Sequence, residues 1–249
     1  MQTNFELGEI AVVGTPRSTL KRTMASAVAL LVAIGVVSAL VRVWALFDAG
    51  VDYAPLLQLL AEPEARYAQA FHRWLGVYPA LTAMHVVPGM VLLALAPFQF
   101  SSRIRSRHLN LHRWSGRVIS VVALPAGIAG LVLAAMSPFG GVVAASALFL
   151  FGTLLFVALT CALLAIRRGD IAQHRAWMIR MFATALGISS IRVIGVLLYL
   201  ILPDVSPDAR MGWTFCLGFV LSVAAGEAWI RYTQRADAAA MLPAPAASL

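Results

Sequence analysis

Apolar residues occur in long runs along this chain, and short polar segments separate the runs. Each of six runs approaches the roughly 20 residues that a helix needs to cross about 30 Å of hydrocarbon. These runs are residues 24–47, 77–100, 116–136, 142–166, 179–202 and 212–230. Only a Ser-Pro-Phe-Gly-Gly turn signal at 137–141 divides the third run from the fourth, which predicts a tight helical hairpin. The pattern predicts an all-α polytopic membrane protein, a bundle of six transmembrane helices.

Little of the chain lies outside these runs. Residues 1–23 are predicted to be a cytoplasmic lead, residues 24–235 the six-helix domain, and residues 236–249 a disordered Ala/Pro-rich tail. The largest intervening segment is 48–76, where the pattern of 63–75 predicts a helix along the membrane interface.

Composition excludes a soluble domain. Hydrophobic residues make up 61% and charged residues 12% of the chain, against about 45–50% and about 25% in soluble proteins. In a membrane protein, the net charge of +8 indicates how the chain is oriented and that it binds anionic phospholipid. No nucleic-acid-binding module is recognisable in the sequence. No P-loop, Cys-x-x-Cys, His-Glu-x-x-His or nucleophile elbow occurs, so the sequence does not predict an enzyme.

The basic residues predict how the chain is threaded. If the amino terminus is cytoplasmic, 14 of the 19 Lys and Arg residues fall in inner segments and three in outer segments. Arg42 and Arg192 lie inside runs. Because basic residues concentrate in cytoplasmic loops, both termini are predicted to be cytoplasmic.

Arg192 is the most unusual residue of the apolar runs. It lies about 10 residues from the predicted outer end of its run, compared with about 5 for Arg42 and about 8 for His85. A central Arg costs at least about 2.5–3.5 kcal/mol, and its guanidinium stays charged and needs an acceptor.

Few acceptors for Arg192 are available in the sequence. The only carboxylate within any run is Glu227, near the inner end, where Arg231 four residues later is expected to pair with it. The remaining candidate acceptors for Arg192 are backbone carbonyls, the hydroxyls of Ser189 and Ser190, neutral His85, water or a bound anion.

Two interpretations of Arg192 follow. It is either a structural residue bonded to helix carbonyls or part of an intramembrane pocket for a small anionic, lipid or quinone-like ligand. The pocket would be lined by His85 and Arg192, with Arg42 and Tyr78 as further candidates. Pro88 removes a helix hydrogen bond just after His85, and the resulting kink suits a ligand site.

Two basic loops resemble each other at the inner ends of the runs. One reads His-Arg-Trp-Ser-Gly-Arg from His112, and the other His-Arg-Ala-Trp-Met-Ile-Arg from His174. The two histidines open the third and fifth predicted helices at one depth, where they could ligate a haem iron axially, or another metal. This arrangement is similar to membrane cytochromes of the b561 type, although the fourth run has no histidine to pair with His85 in a second haem site.

A simpler interpretation makes these loops a belt that binds anionic phospholipid headgroups. Its basic members would be Arg113, Arg117, Arg175 and Arg180. In a third alternative the protein is a structural or partner-binding membrane subunit.

A succession of motifs resembles a known bacterial membrane family. The motifs are Met-His-Val-Val-Pro-Gly at 84–89, Pro-Phe-Gln-Phe at 97–100, Arg103, His-Arg at 112–113, Gly-Arg at 116–117, the His174 loop and Arg192. The family is labelled domain of unknown function 2306, predicted membrane protein, and the resemblance covers about 78–202. Ala96 stands where the family usually has Gly. The resemblance implies a multi-pass bundle in the bacterial cytoplasmic membrane and no reaction.

Overall fold

The structure is a computed structural model that describes residues 16–47 and 62–240, with side chains for 19–46 and 65–235. These residues form helices and no β-strand, which confirms the all-α prediction. The helices are α1 (Pro16–Phe47), α2 (Glu62–Val77), α3 (Pro79–Phe100), α4 (Ser102–Arg107), α5 (Leu109–Met136), α6 (Gly141–Arg167), α7 (Ile171–Ile201) and α8 (Pro207–Ala240).

Six of these helices, α1, α3, α5, α6, α7 and α8, are long and apolar enough to cross a membrane, which confirms the six predicted spans. Several helices extend beyond the apolar runs. For example, α5 begins at Leu109 and not near residue 116, and α7 begins at Ile171 and not near residue 179. The helices are longer than the runs because charged residues end an apolar run in the sequence without interrupting the backbone hydrogen bonds of the helix.

Helices also extend into the two predicted terminal segments. Residues 16–23 of the predicted lead are helical because α1 begins at Pro16. Residues 236–240 of the predicted disordered tail are helical because α8 continues to Ala240. Residues 1–15 and 241–249 lie outside the described part of the chain.

The spans form a four-helix ring with two flanking helices. Neighbours around the ring are α3, α5, α6 and α7, while α1 packs across α3 and α7, and α8 across α6 and α7. Alanines at the centre, including the fully buried Ala129, Ala158 and Ala162, let the helix backbones approach closely. Large apolar side chains such as Val142 and Leu150 are exposed on the outside, as expected for a surface that faces lipid.

The predicted hairpin is present between α5 and α6. Its turn uses Gly140 at φ 76° and Gly141 at φ 57°, a left-handed conformation that glycine adopts without strain. The end of the bundle with this turn is called the outer end below, and the end with the α6–α7 turn the inner end.

The prediction that Glu227 pairs with Arg231 is wrong. Glu227 instead accepts two hydrogen bonds from Arg180 on α7, one from Nε and one from Nη2, the latter at 3.1 Å. The Trp177 ring lies 4.5 Å from the same guanidinium. A bidentate pair between packed helices holds both groups in a better geometry than two flexible side chains on one helix surface.

Helix α2 was predicted as a helix, and the structure confirms it. It is fastened at the outer end through Tyr67, whose hydroxyl donates to Asp208 Oδ1 at 2.7 Å. The same oxygen accepts the Gly140 N–H at 2.6 Å, so Asp208 joins α2, the α5–α6 turn and α8. Phe71 and Trp74 of α2 pack around Phe139 of the turn, at 5.4 and 6.1 Å between ring centroids.

Asp208→Ala is expected to lower stability by about 1.5–3 kcal/mol, because two donors lose a charged acceptor. A thermal unfolding scan in detergent measures the effect. Asp204→Ala is the control, since Asp204 is exposed on the neighbouring loop. Equal unfolding temperatures for both variants would show that Asp208 does not fasten α2.

Candidate functional site

Four basic side chains on four different helices lie in the outer half of the bundle and act on one another electrostatically. They are Arg42 of α1, His72 of α2, His85 of α3 and Arg192 of α7, named here the outer basic cluster. Arg42 and Arg192 both act electrostatically on His72, and Arg192 also acts on His85. The cluster therefore depends on tertiary packing and not on any single helix.

Arg192 lies deep along its span. It precedes the last residue of α7, Ile201, by about nine positions, or about 13 Å at about 1.5 Å per residue. Its side chain is exposed and not sealed in a filled interior. Among the described residues it has no hydrogen-bond acceptor and no ion-pair partner.

The hydroxyl groups that the sequence offered to Arg192 are not used. Ser190 Oγ shares a hydrogen bond with Ser222 Oγ at 2.7 Å. Ser189 Oγ is buried without a partner among the described side chains, and it faces Gly35 of α1 at close range. The two hydroxyls therefore serve helix packing and leave the guanidinium without an acceptor of that kind.

His85 is held by the neighbouring helix. Its Nδ1 lies 2.8 Å from the carbonyl oxygen of Ala126 on α5, and because a carbonyl only accepts, Nδ1 must carry the proton. In the neutral ring Nε2 then has the free lone pair. Gly130 makes room for the imidazole, since a Cβ there would lie 2.8 Å from Nδ1.

Gly130→Ala is therefore expected to push the His85 ring away from Ala126 and lower the unfolding temperature. The control is Gly89→Ala on α3, where a Cβ would meet nothing within 4 Å. Gly89→Ala should leave stability unchanged or raise it by about 0.5–1 kcal/mol through helix propensity. Thermal unfolding of the two variants would contradict the packing argument if Gly130→Ala were the more stable.

Sequence reasoning missed His72. Burial, together with Arg42 and Arg192, lowers the pKa of His72 from its ordinary 6.5 to about 4, so the imidazole is neutral at pH 7. The pattern of 63–75 indicated only a helix along the membrane interface. Nothing in that pattern related His72 to arginines on α1 and α7.

Tyr78 takes a different place from the other predicted pocket residues. It precedes α3 as its N-cap, and its ring lies 5.9 Å from that of Trp74. It thus extends the aromatic packing around Phe139.

The two predicted pocket arginines, Arg42 and Arg192, both lie within electrostatic reach of His72.

The inner end brings His112 and His174 into corresponding positions, each the fourth residue of its helix. His174 Nδ1 lies 2.9 Å from the Ala162 carbonyl oxygen, which leaves Nε2 as the acceptor nitrogen. His112 Nδ1 is buried and has no partner among the described residues. The two imidazoles are electrostatic neighbours, and no group of three or more His, Cys, Asp or Glu residues in the described ranges could hold a metal ion.

The core beyond these two half-buried histidines is closely packed. About two turns further along the same helices, Ile119 and Met181 are only 2% and 1% exposed, and Phe182 packs beside them. Gln99 Nε2 donates to the His112 carbonyl at 2.8 Å and to Ser115 Oγ at 2.6 Å, which ties α3 to α5. The belt residues Arg113, Arg117 and Arg175 are exposed at this end, whereas Arg180 is bound to Glu227.

The fold and its two polar ends define an all-helical integral membrane protein with six candidate spans. The chain belongs to the family described as predicted membrane protein, domain of unknown function 2306, which it matches over residues 82–230. The match extends beyond residue 202, where the resemblance was expected to end, and takes in most of α8. No curated protein and no solved structure matches the chain.

Proposed function

We propose that this protein binds an oxyanion-bearing ligand, a carboxylate or a phosphate, at the outer basic cluster. The observation that carries the proposal is the Arg192 guanidinium, which lies within a span and has no acceptor among the described residues. An intramembrane charge of this kind usually marks a functional site. A bound anion would supply the missing acceptor and neutralise the charge.

The donor set favours an oxyanion over a quinone. Arg192 presents a planar fork of donors, which matches the two oxygens of a carboxylate or phosphate, and Arg42 adds a second positive charge in the same half of the bundle. A quinone carbonyl accepts hydrogen bonds but offers no negative charge to two guanidiniums. The required oxyanion can belong to a small free anion or to a lipid headgroup.

Mass spectrometry of protein purified with its native lipids tests this proposal. A specific oxyanionic compound should accompany the wild-type protein and be absent from folded Arg192→Leu protein. A water-soluble compound would identify a free anion, and a phospholipid retained after extensive detergent exchange would identify a headgroup. Identical compounds in both proteins would contradict the site.

The proposed location is the bacterial cytoplasmic membrane, with both termini in the cytoplasm. Support comes from the asymmetric distribution of basic residues, 14 of 19 of which occupy the inner segments. In this orientation the exposed Arg113, Arg117 and Arg175 meet the anionic headgroups of the cytoplasmic leaflet. The outer basic cluster then opens towards the other leaflet.

A second candidate function is haem ligation by His112 and His174. It is favoured by the Ala162 carbonyl, which orients His174 as second-shell acceptors orient ligating histidines. Haem bound there would supply electron-transfer chemistry, and the close packing of Ile119 and Met181 would have to accommodate its ring. A Soret band lost in His112→Ala and His174→Ala would establish this function, and colourless folded protein would exclude it.

A further inference from the structure

We propose that α4, at the inner end, holds the headgroup of a phospholipid with two phosphate groups, the cardiolipin class. The observation that carries the proposal is an open cavity of about 470 Å³ along this short helix, named here the α4 groove. Only arginine and serine side chains line it, and they are Ser102, Arg103, Arg105, Ser106 and Arg107. The α4 groove is separate from the outer basic cluster, and none of its residues belongs to the predicted belt.

The sequence of α4 places its charges and hydroxyl groups on the exposed side of the helix. Ile104 is the only apolar residue of α4 and is half-buried. Residues four apart are neighbours on a helix surface, so Arg103 lies beside Arg107 and Ser102 beside Ser106. All five residues that line the groove are exposed. The helix therefore presents hydrogen-bond donors and positive charge away from the bundle.

The arginines of α4 have no neighbouring carboxylate to neutralise them. No Asp or Glu occurs in the sequence between Glu64 and Asp170, so α3 and α5, against which α4 packs, contain none. Asp170 caps α7, where its Oδ1 accepts the Gln173 N–H at 2.9 Å. Among the described residues the three guanidiniums of α4 have no ion-pair partner. Three permanent positive charges in one groove match an anion that carries more than one negative charge.

The position of α4 favours a lipid over a soluble phosphate compound. The helix connects two candidate spans, α3 and α5, so its charges lie where the headgroups of a bilayer begin. At the adjoining ends of these spans large apolar side chains are exposed, among them Phe100, Leu109 and Trp114. They offer acyl chains a surface beside the groove. Basic pockets between membrane-spanning helices typically bind polyanionic headgroups of this kind.

Native mass spectrometry of delipidated protein in detergent tests the inference. Cardiolipin and phosphatidylglycerol, which has only one phosphate, are titrated into the same preparation. We expect cardiolipin to bind at least about tenfold more tightly, because its second phosphate accepts a further charge-assisted hydrogen bond. Arg103→Gln/Arg107→Gln should weaken cardiolipin binding about 30-fold, because two of the three guanidiniums are lost.

The matched control is Arg167→Gln/Arg168→Gln. It removes the same charge from exposed positions at the same end of the bundle, outside the groove. Because solvent and salt screen charges that do not contact the headgroup, the control should weaken cardiolipin binding less than about twofold. Sulfate, a soluble probe of the outer basic cluster, should bind both variants as it binds the wild type. The inference and the proposed function can therefore fail independently.

Three results would overturn the inference. Equal losses in the two double variants would mean that affinity follows net charge and not the groove. Equal affinities for the two lipids would mean that the second phosphate is not recognised. Displacement of cardiolipin by inorganic pyrophosphate would assign the groove to a soluble diphosphate. If Arg103→Gln/Arg107→Gln does not fold, Arg105→Gln replaces it, with an expected loss of about fivefold.

Discussion

Arg192→Leu is expected to weaken sulfate binding at least about 100-fold and, in the same protein, to leave stability unchanged or raise it. Two charge-assisted hydrogen bonds of about 1.5–3 kcal/mol each disappear from the site. The empty protein, however, loses a guanidinium that costs at least about 2.5–3.5 kcal/mol within a span. Titration calorimetry and thermal unfolding of one preparation measure both effects.

This pair of measurements separates a binding residue from a structural one. Arg210 is the matched control, since it is only 5% exposed and donates to the Leu202 carbonyl at 2.7 Å. Arg210→Leu should lower the unfolding temperature and keep sulfate binding. If Arg192→Leu behaves like Arg210→Leu, Arg192 is structural and the binding site does not exist.

Glu227→Leu is expected to destabilise the protein by about 2–3 kcal/mol. The substitution leaves the half-buried Arg180 guanidinium without its bidentate acceptor, and the cost of an unpaired charge exceeds what the pair itself contributes. The estimate is below the 3–5 kcal/mol typical of a fully buried pair because both side chains are partly exposed, at 24% and 30%. Thermal unfolding in detergent measures it.

The double variant Arg180→Leu/Glu227→Leu should recover most of the loss, since no unpaired charge remains at the α7–α8 interface. Arg231→Leu is the control on the same helix and should change stability by less than about 0.5 kcal/mol. A cost of Arg231→Leu equal to that of Arg180→Leu would mean that Glu227 is shared between them. Failure of the double variant to recover would attribute the effect to packing.

Helix ends were less accurately predicted than spans, and the reason is physical. The α5–α6 hairpin was visible because Gly140 and Gly141 permit a left-handed turn between two apolar runs. The starts of α5 and α7 were not visible, because His112 and His174 interrupt hydropathy without interrupting the helix. A capping motif does not mark the start of α5 either, because the N-cap residue His108 makes no side-chain capping hydrogen bond.

The candidate site was predictable in part. Arg42, His85 and Arg192 attract attention as polar residues in apolar runs, whatever the fold. His72 does not, because it belongs to a polar helix where an imidazole is ordinary. Its significance comes only from the arginines of two other helices, which act on it electrostatically.

The amino-acid sequence alone determined that this is a six-span helical membrane protein with a charge within one span, because length, apolarity and intramembrane Arg are local properties of the chain. Only the tertiary structure decided which groups meet. It paired Glu227 with Arg180 and not Arg231, and it brought His72 within the electrostatic influence of Arg42 and Arg192. Such choices depend on the rotation of each helix against its neighbours, which side-chain packing over the whole bundle sets and which no single stretch of sequence encodes.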